Sequence, residues 1–156
     1  MTQRSVTHAT FVIERVYDAS PARVFKAFAD PAAKRRWFAE GEGWEIEKFE
    51  TDFRVGGFER SRFRFQGGGP ITNDTIFQNI VPNERIIIAY WMTIDGNPIS
   101  ASQATMEFRK EGAGTRLVFT EQGAYLDGYD NVDQREAGMR ELLEALEKEL
   151  TRQQAA

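Results

Sequence analysis

The sequence predicts an α+β fold: a seven-stranded curved antiparallel sheet wrapped around one long C-terminal helix, with two short helices after the first strand. Three observations predict it. Residues 44–122 alternate apolar and polar at strand period, broken only by short links rich in Gly, Pro and Asn. Such links suit consecutive antiparallel hairpins and are too short for parallel crossovers. Residues 132–152 carry an apolar stripe at helical period, and Ser20-Pro21 and Asp30-Pro31 open two short helical segments. A sheet of that size must bury one face, and only the last helix offers a long stripe to cover it.

The first strand is Thr7–Tyr17, with Ala9, Phe11, Ile13 and Arg15 in one phase. Ser20 is an N-cap and Pro21 a first helical residue; Val24, Phe25 and Phe28 follow at helical spacing. Asp30-Pro31 ends that helix and starts a second, with Ala33, Trp37 and Phe38 on its apolar side. Strands are placed near Trp44–Phe49, Phe58–Phe65, Thr75–Ile80, Arg85–Ile94, Ser100–Arg109 and Thr115–Gln122. The phase of Thr75–Ile80 is undecided. In the final helix, about Val132–Arg152, residues Val132, Met139, Leu142, Leu143, Leu146 and Leu150 form the stripe. Asp133, Arg135, Glu136 and Arg140 fall to its other face, and Gln153–Ala156 reads as a frayed tail.

Composition excludes much. At 156 residues the chain fits a single domain, 1–156, and 41% hydrophobic with 28% charged residues is ordinary for a water-soluble protein. It has no cysteine and one histidine, His8, so thiolate chemistry, disulfides, iron–sulfur clusters and multi-histidine metal sites are out. No cofactor and no metal are called for. A net charge of −4 argues against nucleic acid as a partner. No apolar run approaches the roughly 18 residues that span a bilayer, and Met1–Thr10 lacks the core of a signal peptide. A cytoplasmic protein with no membrane contact is expected. The chain also holds 12 Phe, 4 Tyr and 3 Trp, with no aromatic after Tyr129.

Several short motifs recur in a fixed order: Ser20-Pro21 with Val24-Phe25, Asp30-Pro31, Trp37, Val55-Gly56-Gly57, Val81-Pro82-Asn83-Glu84-Arg85-Ile86, Gly114-Thr115-Arg116-Leu117 and Thr120-Glu121-Gln122-Gly123. In that order the chain resembles the START-like (Bet v 1-like, SRPBCC) superfamily, and within it the family related to the activator of the Hsp90 ATPase. The resemblance covers about Phe11 to Leu150. It implies a helix-grip domain that binds apolar or amphipathic ligands in a cavity, a few members acting on polyketides. Two positions depart from the pattern. Glu121 stands where a Thr-His-x-Gly histidine is common, and Gly138-Met139 where Gly-Trp is common.

Strand phase sorts the candidate ligand-binding residues. Tyr90 and Met92 share a face with Ile86 and Ile88, Met106 with Ser102, Ala104 and Phe108, and Phe119 with Leu117 and Glu121. Glu59, Ser61, Phe63 and Phe65 share another, opposite Arg60, Arg62 and Arg64. Taking these sets as inward, the candidate site comprises Trp37, Glu59, Phe63, Tyr90, Met92, Met106, Phe119 and Glu121, joined by Met139 and Leu143 of the last helix. Glu121 and Glu59 are acids on otherwise apolar faces. Each is either an acceptor that orients a ligand, an acid of raised pKa, or a strand-end group bonded locally.

The arginine row and Lys34-Arg35-Arg36 read as solvated charged faces, and Gly67-Gly68-Gly69-Pro70 as a hairpin link rather than a phosphate loop. Ile87, Ala89 and Trp91 lie on the outer sheet face, an apolar patch that is either a homodimer contact or covered by long neighbours such as Arg109. The expected function is binding of a small apolar or amphipathic ligand between sheet and helix. The alternatives are a cyclase- or hydrolase-like enzyme using a cavity carboxylate, and a co-chaperone-like interaction protein.

Overall fold

Residues 3–155 are described by a computed structural model. Strand β1 (Val6–Tyr17) leads through Ser20 into α1 (Pro21–Ala29). The Ser20 side chain accepts the backbone N–H of Arg23, satisfying one free donor of the first turn. Asp30 does the same for α2 (Pro31–Lys34), accepting from the Ala32 N–H. The helix then widens into one π turn, Arg35–Ala39, closed by the Glu40 N–H on the Arg35 carbonyl five residues back.

Six strands follow: β2 (Trp44–Thr51), β3 (Phe58–Phe65), β4 (Ile71–Val81), β5 (Arg85–Ile94), β6 (Asn97–Glu111) and β7 (Gly114–Leu126). The sheet order is β1-β7-β6-β5-β4-β3-β2, with every neighbour antiparallel. Each hairpin therefore pairs consecutive strands, and β1 closes against the last one. Asp95 and Gly96 both take positive φ between β5 and β6, which is the twist that matches a two-residue hairpin. The fold class and all seven strands agree with the sequence reading.

Five strands, β1, β2, β4, β6 and β7, run longer than their alternation predicts, because pairing continues where the pattern breaks. The undecided phase of β4 has a concrete cause. Phe77 pairs with Ile88 but Asn79 with Ile87, so Gln78 is the extra residue of a bulge. Thr75 and Phe77 face inward before the bulge and Ile80 after it, so no single period fits the strand. In β2, Glu47 is extra in the same way.

The last helix, α3 (Val132–Ala155), lies across the concave face. Leu143, Leu146 and Leu150 pack into one core with Phe11, Ile13, Leu117 and Phe119. Tyr17 donates its hydroxyl to the Leu143 carbonyl at 2.8 Å, and Arg23 reaches the Leu150 carbonyl at 3.0 Å. The helix stays ordered through Ala155, so the frayed tail expected from Gln153 is helical up to there; Ala156 lies outside the described residues. Among the described residues no helix is long and apolar enough to cross a membrane.

Two residues assigned to charged helix faces are placed otherwise. Lys34 is buried at 8% exposure, and Arg135 is buried at 9% rather than on the outer side of α3. Both sit inside apolar stripes: Lys34 is three and four residues before Trp37 and Phe38, and Arg135 lies between Val132 and Met139. Arg62 and Arg64 both pair with Glu47 at its bulge. Ile87 and Ala89 are half-buried on the outer face and Trp91 is exposed. Trp91 stands between Asp74 and Ala101, while Arg109 engages Glu107 instead of covering it.

Candidate functional site

Where α3 and the strands β3–β5 diverge, they enclose a cavity of about 390 Å³. That is enough for a small organic ligand. Of the residues singled out from sequence, Trp37, Glu59, Phe63, Tyr90, Met92, Met106, Phe119, Met139 and Leu143 line it. Glu121 does not; it is hydrogen-bonded to Tyr90 and in charge contact with Arg135, two side chains that do. Phe28, Phe38 and Ile88 complete much of the apolar wall. Its exposed lining residues, Glu40, Gly41 and Trp44 before and at the start of β2 and Gln134, Gly138 and Glu141 of α3, mark where it meets solvent.

Local chemistry holds these walls. The Trp37 indole N–H donates to the Ala27 carbonyl at 2.8 Å, and its ring meets Phe28 edge-on with centroids 4.9 Å apart. Trp44 meets Phe63 edge-on and Phe65 at a tilt, with centroids 5.1 and 4.7 Å apart. Both tryptophans thus have partners that fix them at the cavity wall.

Polar groups enter the cavity at two places. In the first, Lys34 Nζ donates to both oxygens of Glu59, at 3.3 and 3.1 Å. The ammonium also lies 4.7 Å from the centroid of the Phe38 ring. Glu59 is only 4% exposed, so this ion pair is what makes burial of both charges tolerable.

In the second, Tyr90 donates its hydroxyl to Glu121 Oε1 at 2.8 Å and accepts from Arg135 Nη1 at 2.9 Å. Arg135 Nη2 donates to Ser100 at 2.7 Å and to Asp130 at 2.6 Å. Arg135 Nη1 stands 3.6 Å from Glu121 Oε2, a Coulombic contact without a hydrogen bond. Burial pushes the Glu121 carboxyl up to about 7, against the pull of the Tyr90 hydrogen bond and Arg135. Burial likewise raises the Tyr90 phenol, with Glu121 adding to it, so Tyr90 stays protonated at neutral pH. Tyr125 is pushed up to about 12 by burial, and its hydroxyl, like that of Ser102 and like Glu121 Oε2, has no hydrogen-bond partner.

Glu121 is therefore neither at a strand end nor bonded to a neighbouring backbone. It anchors a buried side-chain network whose members Arg135, Asp130 and Ser100 the sequence reading missed. Arg135 had one legible signal, a charge within an apolar helical stripe; the others had none. Among the described residues no group of three or more His, Cys, Asp or Glu converges as a metal site.

The family model described as Activator of Hsp90 ATPase homolog 1-like protein matches residues 18–151. No curated protein matches the chain. Among solved structures it is similar to the Mll3558 protein from Rhizobium loti, at 53% identity over 93% of this chain and 99% of that one, TM-score 0.87. A protein from Rhizobium leguminosarum is 45% identical over 97% and 99% of the two chains, TM-score 0.93. An AHSA1-like protein from Aeromonas hydrophila, at 19% identity over 95% and 96% and TM-score 0.71, shares the fold. The match spans both short helices, the sheet from β2 to β7 and nearly all of α3, and the chain belongs to the Activator of Hsp90 ATPase homolog 1-like protein family.

Proposed function

We propose that the protein binds a small hydrophobic or amphipathic molecule between the sheet and α3. The observation that carries this is the cavity of about 390 Å³, walled by aromatic and aliphatic side chains, with charged groups gathered at a few points. Burying apolar ligand surface there contributes roughly 25 cal/mol per Å², less the cost of immobilising the ligand. Lys34–Glu59 and the Tyr90–Arg135–Asp130 cluster orient its polar end. Glu59 is neutralised by Lys34 and Glu121 is engaged by Tyr90, so neither carboxylate is poised as a free acid or base.

A cavity-filling substitution tests the reading. Met139 is half-buried on α3 and lines the cavity. Met139→Trp should abolish saturable binding of the neutral probe N-phenyl-1-naphthylamine while leaving the far-ultraviolet circular dichroism unchanged. Native mass spectrometry of freshly purified protein should show a co-purified small molecule that the variant lacks. Probe binding as tight in the folded variant as in the parent would overturn the proposal.

A further inference from the structure

We infer that the cavity selects an apolar molecule whose polar end is an uncharged or cationic hydrogen-bond donor, an alcohol or an amine, and discriminates against the carboxylate of the same chain. The inference rests on the binding reading above and adds the class of ligand. Six charged side chains line the cavity: Lys34, Glu40, Glu59, Asp130, Arg135 and Glu141. Two are cations and four are carboxylates.

Both cations are already engaged. Lys34 spends its ammonium on the two oxygens of Glu59 and on the Phe38 ring. Arg135 donates to Tyr90, Ser100 and Asp130. The Tyr90 proton goes to Glu121, and the Thr75 hydroxyl donates to the Asn73 side chain at 3.2 Å. The acceptors that remain toward a ligand are one lone pair on the Tyr90 oxygen and those left on Glu59 and Asp130. At the mouth, Glu40 is paired with Arg35, whereas Glu141 has no ion-pair partner among the described residues.

A ligand carboxylate meets this surface badly. To gain a cation it must take Lys34 from Glu59 or Arg135 from Asp130, stranding a buried carboxylate, which costs far more than an exposed pair is worth. Without a cation it gives up its water inside an apolar cavity with no opposite charge to compensate it, and only the unpaired Glu141 stands at the mouth. The amides of Asn73 and Gln134 also line the cavity, but they neutralise no charge. A hydroxyl or an ammonium disturbs nothing, since it donates into lone pairs that are already there.

Trp37 and Trp44 line the cavity, so their emission reports its occupancy. The full chain, titrated at neutral pH with decanol, decylamine and decanoate below their aggregation limits, should bind the first two at least tenfold more tightly than decanoate. Decanoate binding as tightly as decanol overturns the inference and leaves the binding reading standing; saturable binding of none of the three overturns both. Glu59→Gln then frees the Lys34 ammonium inside the cavity. In that variant decanoate affinity should rise tenfold or more, with decanol affinity nearly unchanged. A folded variant with unaltered decanoate affinity overturns the inference, and should the variant not fold, the ranking of the parent decides alone.

Discussion

At Glu121 a carboxylate with no solvent exposure is held by one strong hydrogen bond and one near-contact with Arg135. Burial outweighs the pull of Tyr90 and Arg135, and the second oxygen accepts no hydrogen bond among the described residues, so the fold raises the carboxyl pKa. The unfolded chain loses this proton near 4.5, whereas the fold holds it to about 7. Stability therefore falls as pH rises across that window, by on the order of 3 kcal/mol for a shift of this size. Glu121→Gln keeps an acceptor for Tyr90 and cannot ionise. Thermal melts taken from pH 4.5 to 7 should show the variant nearly level where the parent declines; an equal decline in both would assign the slope to another group. The acid itself was legible, as one polar residue in an inward apolar phase. Its partner Arg135 was not recognised, because a single helix wheel cannot tell a snorkelling charge from a buried one.

On the scale of elements, alternation located every strand, yet it failed inside β4 and at the strand ends. A bulge inserts one residue, and from Gln78 onward the inward parity reverses. Periodicity carries no record of that insertion, because the register is set by the neighbouring strands. The π turn at Arg35–Ala39 is similar: its sequence reads as an ordinary amphipathic helix. Helix α3 supports a prediction of its own. Gly138 lies in its interior, and a Cβ there would meet nothing within 4 Å. Glycine costs about 1 kcal/mol relative to alanine in such a position. Gly138→Ala should raise Tm by about 2–4 °C, read from a calorimetric scan. A fall in Tm would mean that the helix needs glycine for a reason other than space.

Across the whole molecule, the short helical segment after β1 and the C-terminal half of α3 are tied together by charge. Arg36 of the π turn makes a two-pronged bond to Glu149 of α3, at 2.8 and 3.1 Å, and Glu149 is almost fully buried. The Arg36 hydrogen bond holds its carboxyl below the usual 4.5, outweighing burial. Its stabilisation is therefore complete above that pH and lost as pH falls through the depressed value. Glu149→Gln should destabilise the protein by about 1–2 kcal/mol near pH 6, with the gap to the parent narrowing under stronger acid. A gap independent of pH in denaturant titrations would overturn this account. The two groups thus act in opposite senses: the Glu121 contribution fades as pH rises above about 4.5, and the Glu149 contribution is complete above that value.

The aromatic content that ends at Tyr129 also finds its place at this scale: rings crowd the sheet and short helices, while α3 contributes aliphatic side chains to the shared core. The sequence by itself determined the element order, the inward faces of β3, β5, β6 and β7, and nine of the side chains that line the cavity. Those follow from local periods, which depend only on neighbours along the chain. The tertiary structure alone decided which charges meet. Lys34 finds Glu59 25 positions away and Arg135 finds Tyr90 45 positions away. Such pairs depend on strand register and on how α3 crosses the sheet, and no local pattern encodes either.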